Sequence, residues 1–492
     1  MNEKYIISVD QSTQGTKALL LDPKGQMICR TDLPHEQIIS EKGWVSHNPE
    51  EIYQNTISVI KNLLEKSGVA ADKIAGLSIS NQRETSVIFA KGSGKPLANA
   101  IVWQCSRATE LCEREGIAKH ADEVREKTGI TLSPYFPAAK IAWLLENTDG
   151  AMDLMKKNEI CCGTIDTYLV YRLTGGKSYK TDYSNASRTQ LFNIFELKWD
   201  EEICGWFGID KAILPEVVDS NSLFGMTTCE GIFEEPIPIH GVLGDSHAAL
   251  FGQNCRTMGM TKATYGTGSS IMMNIGTTPA KSTHGLVTSL AWGQNGTVEY
   301  VLEGNLNYTG ATITWMKDNA EWITSPAETE ALARKANPDD GVYLIPAFTG
   351  LGAPYWKSNA RAAVIGMDRT TGHAELVRAG LECIAYQISD IVEAMQLDAD
   401  LKLAELRVDG GPTGNAYLMQ FQSDMLGTNV AVPDAQELSG IGVGYMAGMA
   451  LGLWGDEVFG LLNRKAYSPA MEAGLREKKL DGWKHAVEMI FR

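Results

Sequence analysis

The feature that most constrains this fold is an order of elements that occurs in two distant parts of the chain. Residues 9–17 (VDQSTQGTK) combine the end of an apolar strand, a turn of small and hydroxyl residues and the start of a second strand. Residues 264–270 (TYGTGSS) follow the same order. Residues 75–82 (AGLSISNQ) and 404–411 (AELRVDGG) are matching strand ends further along each part. The matches are weak in identity, but they predict two halves with the same order of elements.

The elements between these turns are those of an α/β chain. Three strand-like runs open the sequence, and a helix is predicted over residues 49–68, where Pro49 begins it and Gly68 ends it. Alternating strands and helices favour an α/β fold. A chain of 492 residues exceeds one ordinary core, so we expect two domains. We predict domains over residues 1–252 and 253–455, followed by a C-terminal helical appendage over 456–492.

Composition excludes several classes of partner. The net charge of −16 disfavours a broad face for nucleic acid. No apolar run reaches the roughly 18 residues of a membrane-spanning helix, and the N-terminus lacks the pattern of a signal peptide. We therefore expect a cytoplasmic protein with neither nucleic acid nor membrane as partner. Nine cysteines without a C-x-x-C pair indicate reduced thiols rather than a disulfide framework or a zinc site.

Three turns of small residues at strand ends could bind phosphate or nucleotide. In residues 9–17, backbone N–H groups and Lys17 could hold phosphate, and Asp10 could hold Mg²⁺. Gly266 permits close approach of a ligand, and residues 408–415 (VDGGPTGN) could face a nucleotide. Each turn alone is equally consistent with an ordinary hairpin or loop, and none has the spacing of a dinucleotide fingerprint or a P-loop. Together they suggest a nucleotide held between two halves.

Charged and aromatic residues after other strands are open to two interpretations. Arg83 and Glu84 are either a solvated surface pair or one donor and one acceptor for a polyhydroxyl substrate. Trp103 is either a core residue or a wall of a substrate site. The sequence around these residues does not decide between the two.

Residues 244–250 (GDSHAAL) place three reactive side chains in a row. Asp245 could begin a helix as its cap, and a carboxylate at the end of a buried strand could also take a proton from an attacking hydroxyl. Ser246 and His247 resemble a hydrolase pair, but adjacent side chains on a helix do not face each other. The G-x-S-x-G elbow is also absent. A hydrolase is therefore disfavoured.

The chain resembles the FGGY carbohydrate kinases, and among them most closely the glycerol kinases. The resemblance covers residues 4 to about 455 and rests on VDQSTQGTK, NQRET, AIVWQCSR, SPYF, TDYSNASR, GDSHAALFGQ, TYGTG, PAFTGLGAPYW and RVDGGPTGN. It implies two actin-like (ribonuclease H-like) domains with ATP and Mg²⁺ in the cleft between them. The activity it implies is transfer of the ATP γ-phosphoryl group to a hydroxyl of a small polyol or sugar.

The resemblance also implies a role for individual positions. Asp245 would be the catalytic base and Asp10 would lie near the metal. The phosphate loops would contain Thr13, Gln14, Lys17, Gly266 and Thr267, and the nucleotide would contact Gly310, Ile313, Gly411 and Asn415. The substrate would contact Arg83, Glu84, Trp103, Tyr135, Asp245, Ser246 and Ser270.

The chain departs from the glycerol kinases where substrate would bind. Ser246 and His247 stand where those enzymes have Gln, and Ser270 stands where they have Phe. A wider, more polar pocket follows, so we expect a substrate longer than glycerol, of about four to six carbons. The alternative is a genuine glycerol kinase that produces glycerol 3-phosphate, and a less favoured one is an actin-like ATP-binding switch or sensor without kinase activity. The role of His247 stays open, and a homodimer or a homotetramer is compatible with the sequence.

Overall fold

The computed structural model of the chain describes residues 3–491. The strands of the N-terminal half are β1 (Tyr5–Gln11), β2 (Gly15–Leu21), β3 (Met27–Pro34), β4 (Ile38–Ile39), β5 (Val45–His47), β6 (Ile74–Asn81), β7 (Ser86–Ala90), β8 (Ala100–Ile101), β9 (Ile160–Thr164), β10 (Lys180–Asp182), β11 (Phe192–Asn193), β12 (Lys198–Trp199), β13 (Glu216–Val218), β14 (Leu223–Thr227) and β15 (Ile237–Gly244). Its helices are α1 (Pro49–Ser67), α2 (Thr109–Glu113), α3 (Glu115–Ala118), α4 (Ala121–Thr128), α5 (Pro137–Asn147), α6 (Ala151–Lys156), α7 (Ile165–Leu173), α8 (Tyr183–Ala186), α9 (Glu201–Trp206) and α10 (Asp245–Gly252).

The C-terminal half has fewer and longer elements. Its strands are β16 (Met260–Tyr265), β17 (Ser269–Gly276), β18 (Val287–Gln294), β19 (Thr297–Leu306), β20 (Tyr343–Ile345), β21 (Ala363–Ile365), β22 (Glu405–Asp409), β23 (Val430–Pro433) and β24 (Arg464–Tyr467). Its helices are α11 (Gly310–Asp318), α12 (Glu328–Lys335), α13 (His373–Ala399), α14 (Ala416–Leu426), α15 (Leu438–Ala450) and α16 (Ala473–Met489).

The two largest sheets share one arrangement. In the first, β1 lies between an antiparallel neighbour, β2, and a parallel neighbour, β6. In the second, β16 lies between antiparallel β17 and parallel β22. The strand orders are β14-β15-β6-β1-β2-β3 and β18-β19-β17-β16-β22-β23-β24. The α/β class is confirmed, and β6 and β22 hold equivalent places in the two sheets.

Helix α1 shows how local sequence sets the element boundaries. The Asn48 side chain accepts a hydrogen bond from the backbone N–H of Glu50 at 3.0 Å, and Pro49 follows it as the first helical residue. Gly68 ends the helix in the left-handed conformation, at φ 68°. The apolar face packs against β2 and β3 through Ile52, Val59, Ile60 and Leu63, all buried. Each of these side chains contributes roughly 1.5–3 kcal/mol by its burial.

A helix from the C-terminal half completes the core of the N-terminal half. Helix α15 packs against β1, β6 and β15 of the first sheet and against α10. Its glycines permit the close approach: a Cβ at Gly442 would lie 1.9 Å from the carbonyl oxygen of Ala248, and one at Gly440 would lie 2.3 Å from Leu19. The helix that follows Asp245 is therefore held in place by a segment almost 200 residues later in the chain (|i−j| = 194 for the Ser439–Asp245 hydrogen bond).

The C-terminal segment is more integrated than the predicted helical appendage over 456–492. Strand β24 pairs antiparallel with β23 at the edge of the second sheet. Trp483 of α16 is buried, stacks on Tyr386 at 5.1 Å between ring centroids and donates to Asp390 Oδ2 at 2.7 Å. The segment therefore contributes a strand and a core side chain to the C-terminal half, in addition to the helix.

Two further expectations concern membranes and cysteines. Over residues 3–491, no helix has the length and apolar character needed to cross a bilayer. All nine cysteines are free thiols, and eight of them are buried. Burial raises the pKa of Cys255 to about 12, so this thiol is neutral and chemically unreactive.

Candidate active site

Three parallel strands of the first sheet end at one edge. Strands β15, β6 and β1 are neighbours in the sheet, and their registers place Gln11 beside Asn81 and Asn81 beside Gly244. The carboxyl ends of parallel strands form the usual ligand-binding edge of an α/β sheet. Asp10, Arg83 and Asp245 therefore come together, and Arg83 Nε lies 3.3 Å from Asp245 Oδ1.

Asp245 is the first residue of α10 and leaves part of its carboxylate accessible. The side chain is 36% exposed, and Oδ1 accepts the backbone N–H of Ser246 at 2.7 Å. Its surroundings raise the pKa of Asp245 above its usual value, because burial outweighs the opposing charge of Arg83. The cap position belongs to Gly244 rather than to Asp245, so the predicted cap is shifted by one residue. Within residues 3–491 Oδ2 has no hydrogen-bond partner and can accept a proton.

Asp10 is more deeply buried than Asp245. It is 6% exposed, its Oδ1 has no hydrogen-bond partner within residues 3–491, and its Oδ2 lies 4.0 Å from Lys17 Nζ. Burial raises the pKa of Asp10 to about 6 in spite of Lys17. A buried carboxylate oxygen without a partner is costly, which is typical of a group that meets a ligand or a metal ion.

The turn between β1 and β2 is tied to several distant residues. The Ser12 backbone N–H donates to the carbonyl of Gly15 at 2.9 Å, which closes the turn. Trp103 Nε1 donates to Thr13 Oγ1 at 3.0 Å, and Gln37 donates to the Thr13 carbonyl at 2.7 Å. The Gln14 side chain is exposed. The turn is thus fixed at Thr13 by Trp103 and Gln37, while the Gln14 side chain remains exposed.

The matching edge of the second sheet is built from closely packed glycines. The Gly310 N–H donates to the carbonyl of Gly266 at 2.9 Å, and a Cβ on Gly310 would lie 2.7 Å from that oxygen. Gly410 has φ 99°, and a Cβ there would lie 2.0 Å from the carbonyl oxygen of Tyr265. Only glycine fits either position. The turn at Thr267, the start of α11 and the end of β22 therefore meet at one edge.

A buried ion network joins the two edges. Arg83 donates through Nη1 and Nη2 to Glu303 of β19 at 3.0 and 2.9 Å. Arg188 donates to Glu303 at 2.7 Å and to Glu84 Oε1 at 2.6 Å. The four side chains are at most 7% exposed. The hydroxyl of Ser270 also donates to Glu303, at 3.2 Å.

Comparison with known proteins identifies the family of this chain. Residues 5–252 match the N-terminal domain of the FGGY family of carbohydrate kinases, and residues 261–451 match its C-terminal domain. The chain belongs to the FGGY family of carbohydrate kinases. It is accordingly an ATP-dependent kinase with the two-domain, actin-like fold that the resemblance implied.

Several relatives of this FGGY kinase match over almost their whole length. The glycerol kinase of Oceanobacillus iheyensis is 45% identical over 491 residues, which are 99% of this chain and 98% of the relative. Glycerol kinase 1 of Thermotoga maritima is 46% identical over 489 residues, 99% of each chain. The crystal structure of Plasmodium falciparum glycerol kinase with ADP superposes with a TM-score of 0.94 at 35% identity, covering 100% of this chain and 99% of that one.

Trp103 and Tyr135, which are also predicted to bind substrate, lie next to each other beside the turn between β1 and β2 of this FGGY kinase. The rings of Trp103 and Tyr135 lie 5.6 Å apart between centroids. Lys140, itself fully buried, donates to the backbone carbonyl of Tyr135. Trp103 therefore contacts Tyr135 through its ring and the turn between β1 and β2 through its N–H, and its role as a wall of the substrate site stays a prediction.

Ser246 and His247 do not form a nucleophile–base pair. Ser246 is partly exposed, whereas His247 is fully buried and neither ring nitrogen has a hydrogen-bond partner in the part of the chain that the structure describes. Burial, and then the charge of Arg83, lower the pKa of His247 well below its usual value. The ring is therefore neutral beneath the site, and within residues 3–491 it lacks the hydrogen bond to Ser246 that a nucleophile–base pair needs.

The residues predicted to bind nucleotide cluster at the second edge. Ile313 is buried on α11, and Gly411 begins a 3₁₀ turn, Gly411–Gly414, before α14. The Asn415 side chain caps α14 by accepting the N–H of Leu418 at 3.0 Å and donates to Thr329 at 3.0 Å. Its polar atoms thus already have protein partners.

Sequence reasoning missed three charged residues of the site: Arg188, Glu303 and Glu437. Arg188 lies in the TDYSNASR motif, which offered a signal. Glu303 and Glu437 lie outside every motif that carried the resemblance, and only the fold brings them to Arg83 and to Lys17, respectively.

Proposed function

We propose that this kinase phosphorylates glycerol with ATP to form glycerol 3-phosphate. Its near full-length identity of about 45% to glycerol kinases carries the proposal. The set of Arg83, Glu84 and Asp245 beside the two turns supports it, because buried Arg83 and Glu84 and the partly exposed Asp245 offer a donor fork, an acceptor and a base to a small polyol. A nucleotide switch has no use for such a set.

Asp245 is the proposed general base. Asp245 Oδ2 takes the proton of a substrate hydroxyl. The oxygen of that hydroxyl attacks the γ-phosphorus of ATP at the same time. The bond from the γ-phosphorus to the bridging oxygen breaks, and ADP leaves. The raised pKa of Asp245 makes it a better proton acceptor than an ordinary surface carboxylate.

The two turns are the proposed phosphate cradle. Backbone N–H groups near Thr13, Gln14, Gly266 and Thr267, with Lys17, would hold the phosphates in line with the hydroxyl. Gly310, Ile313, Gly411 and Asn415 would contact the nucleoside. Phosphoryl transfer depends mainly on such positioning and on charge neutralisation.

Asp10 is the proposed protein ligand of Mg²⁺. Its partnerless buried oxygen suits a hard cation. Over residues 3–491, no group of three or more His, Cys, Asp or Glu side chains could hold a metal. Mg²⁺ bound here would neutralise phosphate charge, with phosphate oxygens and water completing its coordination.

A polyol longer than glycerol is the second candidate, although the relatives favour glycerol. It rests on Ser246 and Ser270, which replace larger side chains of the glycerol kinases. Ser270 is also occupied as a donor to Glu303. Its oxygen can still accept a hydrogen bond from a substrate hydroxyl.

The test is ADP release measured with Mg²⁺ and ATP across glycerol, tetritols, pentitols and ketoses. We expect the highest kcat/KM for glycerol. A tetritol or pentitol preferred by tenfold or more would overturn the choice of glycerol and keep the kinase. ADP release that no polyol or sugar stimulates would overturn the kinase activity in favour of a switch. Light scattering of the same preparation tests the expected homodimer or homotetramer.

A further inference from the structure

Glu303, which belongs to the C-terminal half of the chain, binds residues of the N-terminal half that are proposed to contact substrate. It lies on β19 of the second sheet, fully buried, while Arg83 follows β6 of the first sheet. Both terminal nitrogens of Arg83 donate to Glu303, one to each carboxylate oxygen. Such a bidentate pair fixes the plane of the guanidinium group, and therefore the position of Nε, which lies 3.3 Å from Asp245 Oδ1 as an ion-pair contact.

Arg188 extends this arrangement to Glu84. It donates through Nη1 to Glu303 Oε2 and through Nε to Glu84 Oε1. Glu84 itself has φ 61°, a left-handed conformation that is unfavourable for a non-glycine residue. Strain of this kind persists only where the surroundings impose it, and here the ion pair with Arg188 is the contact that restrains the side chain.

The charges of the network favour an ionised Glu303. Burial alone would raise the pKa of Glu303, but Arg188 and Arg83 outweigh burial and hold the pKa below its usual range. Ser270 lies diagonally across the β17–β19 pair from Glu303 and adds one more hydrogen bond. Glu303 thus accepts four hydrogen bonds with two oxygens and leaves neither free for substrate.

From this geometry we propose that Glu303 is a positioning residue for the polyol. It orients Arg83 directly and Glu84 through Arg188, so the polyol-binding groups of the N-terminal half are correctly placed only when β19 is docked against them. The inference rests on the proposed polyol kinase activity, but not on glycerol being the substrate.

The first variant is Glu303→Gln, which keeps shape and removes the charge. We expect a rise of about 10- to 100-fold in KM and Kd for glycerol, since charge-assisted bonds are replaced and an amide N–H₂ faces the arginines. KM for ATP and Kd for ADP should change less than about twofold, because the phosphate turns do not contact Glu303. Measuring both glycerol and nucleotide binding on one variant separates a loss of polyol positioning from a general loss of structure.

Further variants keep the inference testable if Glu303→Gln does not fold. Glu303→Asp retains the carboxylate and should recover part of the glycerol affinity. Arg188→Lys retains the charge but cannot bridge Glu84 and Glu303 together, and should weaken glycerol binding by about tenfold. Glu299→Gln is the matched control, since Glu299 lies on the same strand and binds only Asn274 among the described side chains.

The outcomes distinguish this inference from the proposed function. If the wild-type protein prefers another polyol, the same ratios are measured with that polyol and the inference is unaffected. If Glu303→Gln folds and binds polyol as the wild type does, the positioning role is wrong and the proposed kinase activity is unaffected. If Glu303→Gln does not fold, wild-type polyol binding by both Glu303→Asp and Arg188→Lys has the same meaning. Equal losses for polyol and ADP would also overturn it, as would a wild type that binds no polyol.

Discussion

Lys17 Nζ donates to Glu437 Oε2 at 2.8 Å, which joins the β1–β2 hairpin to the residue that precedes α15. Arg30 binds the other oxygen of the same carboxylate at 2.5 Å. Glu437 therefore keeps a partner if Lys17 is removed, and the hairpin stays anchored. Deleting Lys17 therefore does not leave Glu437 alone, although Asp10 loses the ammonium group that lies 4.0 Å from its Oδ2.

We expect Lys17→Ala to raise KM for ATP by about 10- to 100-fold, because one charge-assisted bond to phosphate is lost. KM for glycerol should stay within about twofold. Steady-state kinetics with each substrate varied in turn measures both. Lys24→Ala removes an exposed lysine from the turn that follows β2 and is the matched control; an equal effect there would mean that net charge alone is responsible.

Asp245→Asn should lower kcat by about 10²- to 10⁴-fold, since the amide cannot accept the hydroxyl proton. The fold and ADP binding should persist, because the Ser246 N–H can donate to the amide oxygen in place of the carboxylate. Single-turnover phosphorylation and ADP titration check the two statements. Turnover equal to that of the wild type would remove Asp245 from its role as base.

Asp10→Asn should stabilise the ligand-free protein at pH 7 while abolishing most activity. The folded-state pKa of Asp10 is about 6 against a usual 3.8, so at pH 7 the folded chain bears the cost of an ionised buried carboxylate. That cost is relieved as the pH falls through 6, when the folded protein takes up the proton. The variant should therefore be more stable by at most about 3 kcal/mol at pH 7, and the difference should shrink towards pH 4.

Urea unfolding of Asp10→Asn and wild type at pH 7 and pH 4.5 provides the measurement. An advantage that grows on acidification would contradict the stated sign. The wild-type kcat/KM should fall below about pH 6 for the same reason, because a protonated Asp10 no longer attracts a cation.

Gly442→Ala should destabilise the protein, because its new methyl group would lie 1.9 Å from the carbonyl oxygen of Ala248. Helices α10 and α15 would have to separate, which typically costs about 1–3 kcal/mol. The kcat of the variant should fall as well, because Asp245, the proposed base, is the first residue of α10. Gly205→Ala is the control: that glycine is helical and an added Cβ would meet no atom within 4 Å, so its change should be neutral or stabilising. Equal Tm values for both variants would contradict close helix contact.

The turns of this site were predictable because local sequence determines them. Asp10, Gly266 and Gly410 lie at strand ends among small residues, where short-range sterics leave few other choices. The ion partners were not predictable in this way: Arg83 and Glu303 are 220 residues apart, and Lys17 and Glu437 are 420 apart. Only the docking of the two sheets makes them neighbours.

Ser270 illustrates a different difficulty. Its identity suggested a lost wall and hence a larger pocket, but a side chain type does not show what the side chain binds. In the structure its hydroxyl is committed to Glu303. The comparison with glycerol kinases favours glycerol over the longer polyol that this position had suggested.

The packing of α15 on the first sheet makes the two halves of this chain inseparable. A fragment ending at residue 252 would contain every strand of that sheet yet leave β1, β6 and β15 bare on one face, along with the apolar side of α10. Synthesis of the N-terminal half therefore finishes long before its core can close, because α15 begins only at Leu438. During that interval the incomplete protein exposes an apolar surface, and the helix that covers it is the same one that sets the position of Asp245, the proposed base.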